Sequence, residues 1–230
     1  MSRVAGGIAT RSGQNPYTDA ARWAVAGVLL LVAALAVTVA AAGEETVPGD
    51  IALALAIQQP PSAAIDGAAR FVSMVGDDFP AMVVFAVVGV GWLAWRGRRD
   101  LALFLAACAA LRAVGPPLKV LFNSPRPTLE AVAVVAQSNG LGFPSGHALG
   151  AALFYGAIAI IAPEVIASRT IARAVQIAAV AMMLLIALSR VRLGVHWPSD
   201  VAGGLLYGLG MVCLVRAAIV GWGRRRPSPP

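Results

Sequence analysis

Charge is what this chain has least of. Only 13% of its 230 residues are charged, roughly half the 25% of a soluble domain. With a mean hydropathy of +0.78, that shortage excludes an ordinary soluble globular protein. Cysteine is nearly absent too. Cys108 and Cys213 each sit inside an apolar run and read as small buried hydrophobes rather than a disulfide framework, so they say nothing of redox compartment. No internal repeat is evident. No secretory leader is evident either: the first apolar run follows a polar, arginine-containing stretch and is too long for a signal segment, so it is expected to remain as a helix. The net charge of +7 raises nucleic acid as a partner. The arginines, however, cluster at the ends of apolar runs, where lipid head groups and topology account for them.

The scarcest ionisable residues are lysine and histidine. Lys119 is the sole lysine, and His147 and His196 are the two histidines. All three fall in short polar clusters: K-V-L-F-N-S-P-R-P from Lys119, P-S-G-H at 144–147, and S-R-V-R-L-G-V-H-W-P-S-D at 189–200. Rare residue types concentrated this way point to chemistry, because solvated charge would be spread over many positions.

Runs of apolar residues long enough for a helical span of about 20 residues give an all-α fold of six transmembrane helices. They are expected near Arg22–Ala42, Phe79–Trp95, Leu101–Phe122, Ser145–Ala162, Ile171–Leu188 and Asp200–Trp222. Residues 43–78 hold two shorter apolar pieces, read as short helices at or re-entering the membrane interface. One membrane domain over 22–222 is expected, with a cytoplasmic segment 1–21 before it and a basic cytoplasmic tail, 223–230, after it. Arg3, Arg11 and Arg22, then Arg96, Arg98 and Arg99, then Arg169 and Arg173, then Arg224, Arg225 and Arg226 share one side of a six-span layout. The positive-inside rule makes that side the cytoplasm and puts both termini there. The opposite side receives Glu44, Glu45, Asp50, Asp66, Asp77 and Asp78, and also all three polar clusters. Lys119, Arg126, Arg190 and Arg192 thus break the positive-inside pattern together. Cations kept on the wrong side at the ends of packed helices face a shared anion or one another's partners.

The residue types suit a phosphoryl group. Its equatorial oxygens need several donors; Arg126 and Arg190 offer planar forks and Lys119 a point charge. Ser145 suits the N-cap of the fourth span, Gly146 lets the backbone come close, and a helix N-terminus presents N–H groups to an anion. One histidine can attack phosphorus while the other protonates the leaving oxygen. Asp200, four residues after His196, shares its face if the turn is helical. Pro198 suits only a first turn, so the sixth span is expected to begin near Ser199.

These clusters resemble the three signature motifs of the type-2 phosphatidic acid phosphatases, or lipid phosphate phosphatases, in their bacterial integral-membrane branch. The pattern is K-x6-R-P, P-S-G-H and S-R-x5-H-x3-D. Lys119, Arg126 and Pro127 match the first, Pro144 to His147 the second, and Ser189, Arg190, His196 and Asp200 the third, with no departure at any motif position. The resemblance covers roughly 80–222 and implies the helical bundle this family shares with haloperoxidases. It also implies roles: His196 as nucleophile supported by Asp200, His147 as general acid, and Lys119, Arg126, Arg190, Ser145 and Gly146 on the phosphate. It implies no metal or other cofactor and a site on the extracytoplasmic face. Soluble acid phosphatases and vanadium haloperoxidases share the motifs, but the apolar spans speak against both.

Plainer accounts exist for each residue alone. A lysine at a span end snorkels, an aspartate favours a helix N-terminus, and a lone histidine at a helix end is usually structural. Complete motifs outweigh those accounts. Arg112 stays open between a structural pair and a contact that draws a diphosphate or head group inward. Arg192 reads as a rim or structural cation, and Asp77–Asp78 as solvated. The glycines from Gly203 to Gly210 read as a close-packing face.

The expected activity is hydrolysis of a terminal phosphate on a lipid phosphate or diphosphate through a phosphohistidine. Undecaprenyl diphosphate is the favoured substrate, with phosphatidylglycerol phosphate and phosphatidic acid close behind. A lipid phosphotransferase using the same site, and a non-catalytic binder or transporter of anionic lipids, are the alternatives. The expected partners are the lipid substrate and the bilayer; neither a nucleic acid nor an obligate protein partner is evident.

Overall fold

The computed structural model describes residues 16–41, 46–77, 79–122 and 124–222. Those residues are helical with irregular connections and no strand among them. The helices are α1 (Pro16–Ala41), α2 (Asp50–Ile57), α3 (Ala63–Asp77), α4 (Phe79–Trp95), α5 (Arg99–Leu111), α6 (Gly115–Phe122), α7 (Gly146–Val165), α8 (Arg169–Arg192) and α9 (Pro198–Trp222). Glu44 and Glu45, the outermost N-terminal residues and the basic tail lie outside the described residues, as do the side chains of Asp77 and Asp78.

Five stretches are long and apolar enough to cross a bilayer: 19–41, 99–122, 146–165, 169–192 and 198–222. The remaining expected span, α4, is apolar but shorter. The expected third span is interrupted. α5 stops at Leu111, a 3-10 turn covers Arg112–Val114, and α6 restarts at Gly115. Pro116 and Pro117 fit only the first turn of a helix, because their missing N–H groups and fixed φ break a helix interior. The expected fifth span is longer than its apolar run. α8 carries Ser189, Arg190 and Arg192 on its last turn, so the first four of the third cluster's twelve residues are helical.

Helix starts follow capping chemistry. Ser145 is extended and its hydroxyl accepts the Ala148 N–H at the head of α7; Ser168 does the same for Ile171 at α8. α7 lies at the centre, packed on α8 and α9, with α1 on the far face of α9 and α4 on α5. The glycines of α9 serve more than one face. A Cβ at Gly204 would lie 2.6 Å from the carbonyl oxygen of Ser145, the N-cap of α7, and one at Gly208 would lie 2.5 Å from Ala152 Cβ on α7. A Cβ at Gly210 would meet Leu31 of α1 at 2.8 Å. Small residues thus let three backbones approach closely. Outward-facing Val25, Leu29, Val32 and Val39 of α1, each more than half exposed, suit hydrocarbon rather than water.

Away from the polar clusters, Glu164 at the end of α7 binds Arg98 at 2.7 Å and also pairs with Arg216. Arg216, a charge within α9, thereby has the partner that an intramembrane cation requires.

Candidate active site

The third cluster folds as the end of α8, a tight turn and the start of α9. Gly194 has φ +69°, and a Cβ there would meet the Ala133 carbonyl oxygen at 2.1 Å. Only glycine fits this turn, which returns the chain so that His196 lies next to α9. Pro198 opens α9, and Asp200 reaches back. Its Oδ2 lies 3.1 Å from His196 Nδ1 and accepts the Trp197 N–H at 3.0 Å. Asp200 has no exposed surface and His196 is 2% exposed.

With Nδ1–H donated to a carboxylate, the lone pair sits on Nε2. That atom lies 3.4 Å from Nη1 of Arg126, a group that can only donate. Burial, then the charges of Arg126, Lys119 and Arg190, hold the His196 pKa well below the usual histidine value, against a backbone contact at Gly142 that raises it. The neutral ring is therefore favoured near neutral pH.

The cations are held by carbonyls. Lys119 Nζ donates to Leu141 O at 2.8 Å and Gly142 O at 3.2 Å. Arg126 donates to Gly140 O at 2.8 Å and Val195 O at 2.6 Å. Arg190, largely buried, donates to the Ser73 hydroxyl on α3. A cavity of about 640 Å³ is lined by Lys119, Arg126, Gly146, His147, Arg190 and His196, and also by Arg112. Its other walls include Ala109, Ala110, Ala113, Pro116 and Leu149. A small apolar pocket of about 40 Å³ between α4, α5 and α7 shares Ala109 and Arg112 with it.

Six of the eight residues singled out from sequence thus line one cavity, and Asp200 stands directly behind His196. Ser145 does not line it. Its hydroxyl caps α7, and its N–H donates to Asp200 O at 2.9 Å, tying the second cluster to the third. Arg192 points away, to Asp66 at 2.7 Å and to the Ile57 and Pro60 carbonyls. Ser73, Asp50 and Gln58 escaped the sequence reading. Each touches the third cluster or its flanks from more than a hundred residues away, and no local pattern marks such a contact.

A family model described as the PAP2 superfamily matches residues 97–224. Decaprenylphosphoryl-5-phosphoribose phosphatase of Mycobacterium tuberculosis is 32% identical over 77% of this chain and 94% of its own length. Phosphatidylglycerophosphatase B of Bacillus subtilis is 31% identical over 58% of this chain and 64% of its own length. The crystal structure of a transmembrane PAP2-type phosphatidylglycerolphosphate phosphatase from Bacillus subtilis superposes with a TM-score of 0.70 at 23% identity, covering 86% of this chain and 96% of that one.

Proposed function

This chain belongs to the PAP2 superfamily, its relatives are lipid phosphatases and five of its helices are long and apolar enough to cross a bilayer; we propose that it removes the terminal phosphate of a lipid phosphate or diphosphate through a phosphohistidine on His196. The observation that carries this reading is the His196–Asp200 pair at 3.1 Å, with Nε2 turned toward a cavity that Lys119, Arg126 and Arg190 also line. Nε2 attacks phosphorus, and the bond to the lipid oxygen breaks. His147, half-buried on the cavity wall, supplies the proton to that oxygen. Water then attacks the phosphohistidine, with His147 taking its proton, and inorganic phosphate leaves. The cations neutralise the phosphoryl oxygens, and the N-terminus of α7 at Gly146 adds its N–H groups. The walls of alanine, proline and leucine leading to the apolar pocket between α4, α5 and α7 suit the first part of the lipid chain, while the rest of the tail stays in the bilayer.

A polyprenyl-linked phosphate is the favoured substrate, undecaprenyl diphosphate foremost, and the decaprenyl-linked substrate of the mycobacterial relative supports a prenyl tail. Phosphatidylglycerol phosphate is the second reading, favoured by the Bacillus relative. A six-span layout with both termini cytoplasmic would put the site at the extracytoplasmic face, and the arginine distribution supports that orientation.

The test is phosphate release by purified protein in liposomes from undecaprenyl diphosphate, decaprenylphosphoryl-5-phosphoribose, phosphatidylglycerol phosphate and phosphatidic acid. Release from a prenyl lipid at least tenfold faster than from the glycerolipids is expected. His196→Ala is expected to abolish release, and wild-type release by that variant would overturn the nucleophile. Trapping a phosphoenzyme that survives alkaline quench but not acid, and disappears in His196→Ala, tests the intermediate itself.

A further inference from the structure

The first turn of α9 carries both the nucleophile's partner and an unusual cap. Counting Trp197 as the N-cap residue, Pro198, Ser199 and Asp200 are the first three residues of the helix. Asp200 reaches back to the Trp197 N–H at 3.0 Å, which is one half of a capping box. The other half calls for a side-chain oxygen at the N-cap position, accepting an N–H of the first turn. Tryptophan has none to offer. Asp200 does not take that place: its Oδ2 meets the Trp197 and His196 N–H groups, and among the described residues it accepts no N–H from the first turn of α9.

The missing acceptor comes from Asp50, at the head of α2. Its Oδ1 accepts the Ser199 N–H at 2.9 Å and its Oδ2 accepts the Ser199 hydroxyl at 2.5 Å. Asp50 is only 5% exposed, and its charge sits where the positive end of the α9 dipole favours it. The far end of α2 is fastened to the same turn. Gln58 donates to Ala133 O at 2.7 Å and to Arg192 O at 3.3 Å, and accepts the Ala133 N–H at 3.1 Å. Arg192 returns a bond to Ile57 O at 3.1 Å. α2 is therefore a brace held at both ends across the loop that presents His196. It lies outside residues 97–224 that match the family.

We propose that Asp50 is a positioning residue for the nucleophile, supplying from α2 the missing half of the α9 cap and thereby fixing His196 and Asp200 against the phosphate cradle. This rests on His196 being the nucleophile. An in-line attack tolerates little misplacement of the attacking atom, and a shift of about 1 Å is enough for a hundredfold loss of rate. Lys119 and Arg190 sit on α6 and α8, held by Leu141 O and Ser73, and Arg126, although it donates to Val195 O, keeps a second anchor on Gly140 O, so the cradle has holds of its own outside this cap.

Two inhibitors separate positioning from general damage. Inorganic phosphate binds through Lys119, Arg126 and Arg190. Orthovanadate in addition takes a histidine nitrogen as its axial ligand, mimicking the phosphoryl group in flight. In Asp50→Ala, kcat is expected to fall at least tenfold, with vanadate inhibition weakened in step, while KM and phosphate inhibition stay within about twofold. Tenfold corresponds to about 1.4 kcal/mol of barrier. Asp50→Asn is expected to recover most of the activity, since asparagine caps as well as aspartate. Ser199→Ala, which removes one of the two hydrogen bonds, is expected to show a smaller loss of the same vanadate-selective kind and serves where Asp50→Ala yields no folded protein. Wild-type kcat in Asp50→Ala, or in Ser199→Ala if that variant alone folds, would overturn the proposal. So would a proportional loss of activity, phosphate inhibition and vanadate inhibition. A wild-type protein that neither releases phosphate nor responds to vanadate would instead sink the nucleophile reading itself.

Discussion

Replacing Asp200 by asparagine separates charge from hydrogen bonding at the proposed nucleophile. Both N–H groups, from His196 and Trp197, converge on Oδ2. Among the described residues, Oδ1 has no hydrogen-bond partner. An asparagine with its carbonyl oxygen in the Oδ2 position keeps both bonds and loses only the negative charge. In the proposed mechanism the imidazole becomes cationic when Nε2 bonds to phosphorus, and the carboxylate stabilises it. At a separation of about 4 Å and an effective dielectric of about 20, a full charge pair is worth about 4 kcal/mol. A phosphoryl transition state with half of that charge developed loses about 2 kcal/mol. The expected fall in kcat is therefore between about 30-fold and 10³-fold, with KM little changed. Asp200→Ala removes the acceptor as well, freeing the ring tautomer, and is expected to fall about tenfold further. Steady-state phosphate release from a lipid substrate, with melting temperature measured in the same detergent, reads both. Asp200→Asn with kcat within threefold of wild type would refute the development of positive charge on His196, and with it the nucleophilic role.

Other consequences are open to measurement. The His196 pKa is depressed, so the neutral nucleophile persists as pH falls through about 6.5, the ordinary histidine value; the acid limb of kcat/KM is expected below that pH. Arg126 is the largest charge pressing that pKa down, so Arg126→Gln raises it and is expected to move the limb to higher pH, and an unmoved limb would show that another group controls it. Gly208→Ala would place its Cβ 2.5 Å from Ala152 Cβ and 2.9 Å from Leu149 O. That overpacking is expected to cost about 1–3 kcal/mol, read as a lower melting temperature, and an unchanged one would mean that α7 and α9 are not packed this closely. The proposed chemistry routes no step through a metal, so EDTA is expected to leave turnover unchanged; loss restored by added metal would contradict it.

Helix type and order were legible in this chain because hydrocarbon forces every backbone polar group to bond within its own segment, so long apolar runs have one outcome. Helix boundaries were less legible. Hydropathy stops α8 at Leu188, yet the helix runs on through Arg192, since a charged turn outside the apolar core is free to stay helical. The break at Arg112 is written in Gly115-Pro116-Pro117, but hydropathy alone runs one span straight through it.

By its own pattern, the sequence determined which residues can hold a phosphate and supply two imidazoles, because scarce types at fixed spacing need no structure to be noticed. It put Asp200 four residues after His196, but the two meet without sharing a helix face: His196 stands outside α9 and Asp200 reaches back to it from the first turn. Only the tertiary structure decided how the three clusters share one cavity and that Ser145 stands behind its wall. It also decided which distant groups complete the site. Ser73 on Arg190, Gln58 on the turn after α8 and Asp50 on the head of α9 act across separations of more than a hundred residues. Contacts of that kind leave no local periodicity. They exist only once the helices have packed, because a buried carboxylate or hydroxyl is stable only where a partner has been brought to meet it.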